Sequence, residues 1–186
     1  MKPRILAMDT TSRSGSFALI EGTEIVEEAV VHAPDGFAHI LFAELQKLLK
    51  GHGWELNEID CFAAAAGPGS FTGVRVGMAA VKGLAESLGR PVVAVSNLEA
   101  IARFASAPIR APFLEARAGE VYGGCYSDLG VPLQPEIAGL IQEWLEKLPE
   151  GAELVSPHAS RFAELKAVQA PSELAAAIGR IAAGRL

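Results

Sequence analysis

The stretch Cys61-Phe-Ala-Ala-Ala-Ala-Gly-Pro-Gly-Ser-Phe-Thr-Gly-Val-Arg-Val-Gly77 limits what this chain can become more than any other segment. Cys61 to Ala66 run without a polar break, as in a strand buried on both faces. Gly67-Pro68-Gly69 ends the run: Pro68 fixes one φ and removes a donor, and its glycine neighbours open backbone angles closed to other residues. Helix-forming residues follow from Thr72 to Leu88, with Ser70 or Thr72 placed to cap the first free N–H groups. A strand, a glycine loop and a helix N-terminus in that order form a candidate anion site.

Familiar loop motifs fail on spacing. Gly67, Gly69 and Gly73 read G-x-G-x-x-x-G, one residue too long for a dinucleotide fingerprint. Gly73 is followed by Val74-Arg75, not by the Lys-Ser/Thr of a P-loop. Ser70 directly follows Gly69, so no G-x-S-x-G nucleophile elbow exists. The alternative is packing. Gly73, Gly77, Ala80, Gly83 and Ser87 recur at helical spacing as a ridge of small side chains. Glycine inside a helix costs about 1 kcal/mol relative to Ala, so its repeated use implies close approach of another backbone. Ala80 and Gly83 are expected to face a partner. Gly73 and Gly77, nearer the loop, are expected to pack on the protein's own strands.

A chain of 186 residues makes one domain or two small ones. Its net charge of −6 argues against binding nucleic acid unaided. Cys61 and Cys125 are the only cysteines and form no C-x-x-C pair, the profile of a reducing compartment. Met1-Lys-Pro-Arg4 leads into a strand rather than a signal peptide. No apolar run reaches bilayer length. A cytoplasmic protein without membrane contact is expected.

Taken in order, Ile5–Met8, Ser16–Ile20 and Glu24–Val31 read as strands. Asp9-Thr10-Thr11 closes the first; the acid and its hydroxyls suit either a metal or phosphate, or a turn in which Asp9 bonds its own backbone. Phe37–Leu49 has helical period, and Ala38, His39 and Phe42 lie on a second, partly apolar side of it. Pro91–Val95 is a strand, and Ser96 or Asn97 can cap a helix from Leu98 to Ala105. Ser106–Arg110 reads as a linker. The opening pattern then returns. Ala111–Glu115 is a strand ending in an acid, Ala116–Gly119 a turn, Glu120–Ser127 a strand and Asp128–Gly130 a hairpin turn. This suggests a duplicated unit, whose second copy is expected to degrade. Helices are expected at Gly139–Leu148, at Pro157–Leu165 with Ser156 as cap, and at Ser172–Ala183, with a short strand at Glu153–Val155.

Catalytic signatures are weak. No two of the four histidines stand four residues apart, so no H-x-x-x-H pair can hold a metal from one helix face. No Ser/His/Asp set can be picked out by spacing.

Three segments carry a resemblance: Ile5-Leu-Ala-Met-Asp-Thr-Thr-Ser12, Gly67-Pro-Gly-Ser-Phe-Thr-Gly-Val-Arg-Val-Gly77 and Glu115-Ala-Arg-Ala-Gly-Glu-Val-Tyr122. In order and spacing they closely resemble the bacterial TsaB (YeaZ) family, over about the first two-thirds of the chain. The resemblance implies a duplicated actin-like α/β fold with a shortened second domain. The expected domains are 1–105 and 106–186, with the last helix able to pack back on the first. It implies a non-catalytic scaffold in threonylcarbamoyladenosine modification of tRNAs reading codons that begin with adenine. The implied partners are the catalytic paralogue TsaD, the ATPase TsaE, tRNA only through the complex, and a second copy when no partner is present. TsaD-type proteins carry H-x-x-x-H; here Ala43 stands four residues after His39. The implied partner surface takes in Ala38, His39, Phe42, Arg75, Val76, Gly77, Ala80, Gly83 and Ser87. Asp9, Thr10, Thr11, Gly67, Gly69 and Ser70 are the candidate nucleotide-binding residues, although no cofactor is required and ATP or ADP would bind weakly, at a complex interface. Glu115 stands where the family usually has Asp, and Gly123-Gly124 falls in a strand rather than an adenosine-binding segment. Both departures weigh against nucleotide hydrolysis. The rival reading is an enzyme: an actin-fold ATPase or phosphotransferase acting on a small molecule through Asp9 and the glycine loop, or a peptidase.

Overall fold

In the computed structural model, residues 2–117 and 119–186 are described. Among these residues, ten strands and five α-helices follow in order: β1 (Arg4–Asp9), β2 (Ser14–Glu21), β3 (Glu24–His32), α1 (Leu41–Gly51), β4 (Cys61–Ala65), α2 (Phe71–Leu88), β5 (Val92–Val95), α3 (Asn97–Ala102), β6 (Ile109–Arg117), β7 (Glu120–Ser127), β8 (Pro132–Leu140), α4 (Ile141–Leu145), β9 (Glu153–Ser156), β10 (Val168–Gln169) and α5 (Ala175–Ala183). The chain divides into two compact units, residues Met1–Asn97 with Ser172–Leu186, and residues Leu98–Pro171. The expected boundary after residue 105 thus differs from the observed division at Asn97, and α5 belongs with the first unit.

The first sheet has strand order β3-β2-β1-β4-β5, and the second, read in the same sense, β8-β7-β6-β9-β10. In both, the first three strands of the copy pair antiparallel and the remaining two add in parallel. Identical order and sense in two successive halves make this the duplicated actin-like α/β fold.

Alternation along the first sheet separates two apolar faces. Leu6, Met8, Phe17, Leu19, Phe62 and Ala64 form one buried cluster with Leu41, Leu45, Leu48 and Leu49 of α1 and Ala80, Val81 and Ala85 of α2. Ile5, Ala7, Ala18, Ile20, Cys61 and Ala63 alternate with them, equally buried, and α5 packs over β1 and β2. At Gly179 of α5 an added Cβ would lie 2.5 Å from Ile20 Cγ1 and 3.2 Å from Ala7 Cβ. Helices on both sides explain why β4 is apolar at every position.

No side chain of its own caps α5; β2 and β3 supply the caps. Ser16 Oγ accepts from Ala175 N at 3.0 Å and donates to Glu28 Oε1 at 2.8 Å. Glu28 Oε1 also accepts from Ala176 N at 3.0 Å. This puts an anion at the positive end of the helix.

Several expectations need correction. The helix expected from Phe37 begins at Leu41; Phe37 itself is buried in the preceding turn and its carbonyl accepts from Ile40 and Leu41 N. α3 ends at Ala102, not Ala105. The helix expected from Gly139 is confined to Ile141–Leu145, because β8 runs through Leu140. Pro132 and Pro135 hid that strand. It tolerates them because it is an edge strand, with Pro132 first and a register shift near Pro135. The helix expected at Pro157–Leu165 is a 3-10 segment, Ala159–Leu165, broken at Phe162 (φ −126°, ψ 47°). Ser156 Oγ does accept at its start, from His158 N at 3.0 Å. The second copy therefore keeps all five strands, and its helices are what is shortened. The strand expected to end at Glu115 runs on to Arg117, so Ala116 and Arg117 of the expected Ala116–Gly119 turn belong to β6; Ala118 of that turn lies outside the described residues.

The caps borrowed from β2 and β3 make a prediction. Ser16→Ala removes the acceptor for Ala175 N and a donor to Glu28 within a buried site, and should lower stability by about 1–3 kcal/mol. A thermal melt unchanged from wild type would show that Ser16 does not hold α5.

Candidate functional site: a clasped glycine loop

The loop after β4 meets the turn after β1 and the start of α3. The Gly67–Pro68 peptide is cis and Gly67 has φ +91°. Gly67 N donates to Asn97 Oδ1 at 3.2 Å, and Asn97 N donates to Gly67 O at 2.8 Å. Asn97 Nδ2 reaches Thr11 Oγ1 at 2.6 Å, and that hydroxyl donates to Asp9 Oδ1 at 2.6 Å. Thr11 N also donates to Asp9 Oδ1, at 2.9 Å. On the other side, Ser70 N donates to Thr11 O at 2.7 Å and Thr10 Oγ1 donates to Gly73 O at 2.7 Å. Ser70 Oγ caps α2 by accepting from Gly73 N. Asn97 was expected only as a helix cap. Its buried position as the link between Gly67 and Thr11 could not be read from its own segment.

Three glycines make the clasp close. An added Cβ would lie 2.7 Å from Thr11 Cβ at Gly69, would run into the Thr10 carbonyl at Gly73, and would lie 2.6 Å from Thr10 Oγ1 at Gly77. Gly73 and Gly77 thus pack on the protein's own chain, as their place near the loop suggested. Ala80 does the same, and this is a correction: at 8% exposure it belongs to the core cluster rather than to a partner surface. Gly77, also named for that surface, is likewise buried. The reason is helical geometry, since positions 73, 77, 80, 81 and 85 share the sheet-facing stripe of α2.

The remaining residues of the expected surface point outward or line its margin. Gly83 is exposed with nothing within 4 Å of an added Cβ. Ser87 and Arg75 are exposed, and the Arg75 guanidinium stacks 3.9 Å over the Phe71 ring. Ala38 and His39 are exposed in the turn before α1. Phe42 and Phe71 are 59% and 69% exposed, unusual for rings of this size. Val76, half-buried, lines a depression of about 270 Å³ together with Arg13, Pro34, Ala38, Ser70 and Thr72.

For an anion, the loop's donors are largely spoken for. The N–H groups of Gly67, Ser70, Gly73 and Val74 all have acceptors within the protein. Asp9 behaves as a turn former through Oδ1, while its Oδ2 is buried without a partner. Burial holds this carboxyl above the usual range, and the charges of Glu28 and Glu173 push the same way. Among the described residues no group of three His, Cys, Asp or Glu side chains is arranged to hold a metal. Glu115, the matching acid of the second copy, is instead half-buried and pairs with Arg161 at 2.5 Å. Its N–H donates to His158 Nδ1 at 3.3 Å, and burial lowers the pKa of that imidazole. Gly123 and Gly124 lie inside β7, where their missing side chains leave room for the Trp144 and Tyr126 rings.

Opposite outcomes are expected for two glycines of one helix. Gly73→Ala should cost about 1–3 kcal/mol, because the Thr10 backbone must shift. Gly83→Ala, in open space, should gain up to about 1 kcal/mol from helix propensity. Thermal melts that move both variants the same way would contradict the clasp.

A family model described as TsaD, tRNA N6-adenosine threonylcarbamoyltransferase, matches residues 32–171. The chain is 32% identical to the tRNA threonylcarbamoyladenosine biosynthesis protein TsaB of Bacillus subtilis (strain 168), over 78% of this chain and 66% of that protein. It is 37% identical to TsaB of Haemophilus influenzae over 63% of this chain and 51% of the relative. The chain therefore spans about half to two thirds of the length of the curated relatives it matches. The solved structure of YeaZ from Pseudomonas aeruginosa superposes with a TM-score of 0.77 at 28% identity, covering 97% of this chain and 90% of that one. By sequence and by fold alike, the chain belongs to the family of the TsaD model, tRNA N6-adenosine threonylcarbamoyltransferase, and within it to the TsaB (YeaZ) proteins.

Proposed function

We propose that this chain is a non-catalytic scaffold for threonylcarbamoyladenosine modification of tRNAs reading codons that begin with adenine. It acts in the cytoplasm by binding and stabilising a TsaD-type transferase. A TsaE-type ATPase joins the pair, tRNA reaches it only through the complex, and the free protein forms a homodimer. It needs no cofactor of its own, and any ATP or ADP binds weakly at a complex interface. The names of the Bacillus and Haemophilus relatives support the pathway.

The observation that carries the scaffold reading is the outward face of α1 and α2. Phe42 and Phe71 stand exposed there, beside a depression lined by Ala38, Thr72 and Val76. Large rings left in water are candidates for protein association. The same helices are held from beneath by the core and the clasp, so the face is presented on rigid elements. The rival enzyme would have to draw on Asp9, Thr10, Thr11 and the glycine loop, whose donors and acceptors are largely bonded to one another.

The test is co-purification with the TsaD-like protein of the same genome, using Gly83→Leu and Phe71→Ala. Each should melt near wild type in isolation and bind the partner at least tenfold more weakly, a loss of about 1.4 kcal/mol or more. Unchanged binding in both would remove the α2 face from the interface. Depleting the protein in cells should lower threonylcarbamoyladenosine in total tRNA, read by nucleoside mass spectrometry. Sustained ATP hydrolysis by clean protein, abolished by Asp9→Ala, would favour the enzyme instead.

A further inference from the structure

Asp9 presents an unusual combination. The residue is 1% exposed, Oδ1 takes both donors of Thr11, and Oδ2 is enclosed without a partner. A buried, charged carboxylate oxygen with no donor is costly, and protonation removes that charge.

Burial favours the proton and outweighs the two Thr11 bonds that oppose it, and the facing charges add to burial. Asp9 lies opposite Ser16 in the register of β1 and β2, on the sheet face that α5 covers. From β2 come the hydroxyls of Ser14 and Ser16, from β3 the carboxylate of Glu28, and from the lead into α5 the carboxylate of Glu173. The end of β4 beside it, with the residue that follows, Ala64 to Ala66, brings no titratable group. The basic residue of α5, Arg180, is turned to the carbonyl of Thr23 at 3.1 Å. Both charges acting on Asp9 are therefore acids, and both already hold the start of α5. Glu28 accepts from Ala176 N at 3.0 Å, and Glu173 accepts from Ser14 Oγ at 3.3 Å.

We propose that Asp9 is a proton-operated latch on α5: the carboxyl is protonated while the helix is docked, and loss of that proton loosens the first turn of the helix. Ionised Asp9 would set three carboxylates around one helix start. Relief comes most easily from the side that is not sheet, through movement of Glu173 and Ala175 away from β1. Letting go uncovers the apolar face of Ile5, Ala7, Ala18 and Ile20.

The direction of the effect follows from linkage. Docking raises the affinity of Asp9 for its proton, so α5 is held most firmly below the ordinary carboxyl value of about 3.9. The hold weakens as pH climbs through the raised, docked-state value, by up to about tenfold per pH unit in the open population, and then levels off.

Hydrogen exchange of the full chain, followed by mass spectrometry over residues 174–183 from pH 5 to pH 9 and corrected for intrinsic chemistry, tests this. Wild-type protection in α5 should fall with rising pH while that of α2 stays level. Asp9→Asn, neutral at every pH, should make α5 protection independent of pH. Glu173→Gln removes one of the two facing charges and should bring the levelling-off to lower pH. Wild-type protection that does not change with pH overturns the latch, as does a wild-type response retained in Asp9→Asn. Should Asp9→Asn not fold, a Glu173→Gln profile identical to wild type overturns it equally.

Discussion

The structure of the first unit depends on how closely the turn after β1 approaches α2. Thr10 and Thr11 lie where side chains of Gly69, Gly73 and Gly77 would otherwise be: the Thr10 carbonyl at Gly73, the Thr10 hydroxyl at Gly77 and Thr11 at Gly69. That approach sets the depth and rotation of α2. Once Gly73 and Gly77 are against the turn, the next residues of the stripe, Ala80, Val81 and Ala85, enter the core. Arg75, Lys82, Gly83 and Ser87 are turned to solvent by the same rotation. One steric constraint thus closes the glycine loop on its own chain and aims the outward face of the helix. The glycines serve the packing of the loop, and the hydrogen bonds of Thr10, Thr11 and Asn97 lock it.

The second unit shows what the same topology looks like without the clasp. Its sheet repeats the strand order of the first, but α4 has 5 residues where α1 has 11. A broken 3-10 segment stands where α2 would be. Aromatic rings take over the core there. Phe113 packs against Trp144 at 5.7 Å and against Phe162 at 5.3 Å between centroids. Large flat side chains supply buried area from few residues, which suits short helices. Asp9, at the end of β1, and Glu115, two residues before the end of β6, diverge in the same way. Asp9 is sealed in, whereas Glu115 is half-buried beside a cation. A duplicated frame has kept its sheets and lost the symmetry of its loops.

Read alone, the residues of β1, β2, β3, β4, β5, β6 and β7 disclose their strands. Each is an apolar or alternating run bounded by turn chemistry, a signal local to the segment. The glycine loop, the cap at Ser70 and the inward turn of Gly73 and Gly77 were legible for the same reason, as was the repetition of strand, acid, turn and strand. The three motif segments were specific enough to indicate the family. What stayed hidden depends on neighbours distant in the chain. Pro132 and Pro135 argue against a strand until β8 is found at a sheet edge, where a missing donor costs little. Small size could not tell which side of α2 Ala80 faces, because the stripe that meets the sheet is chosen by the approach of Thr10. Ser16 and Glu28 read as ordinary strand residues, yet they cap a helix 159 residues from Ser16 and 148 from Glu28. Asn97 reads as a cap and serves as a clasp because Gly67 and Thr11 come to it. Local period and turn chemistry determine which elements form. Which face of an element is buried, and which polar atom is left without a partner, is decided only when segments far apart in sequence exclude water from one another.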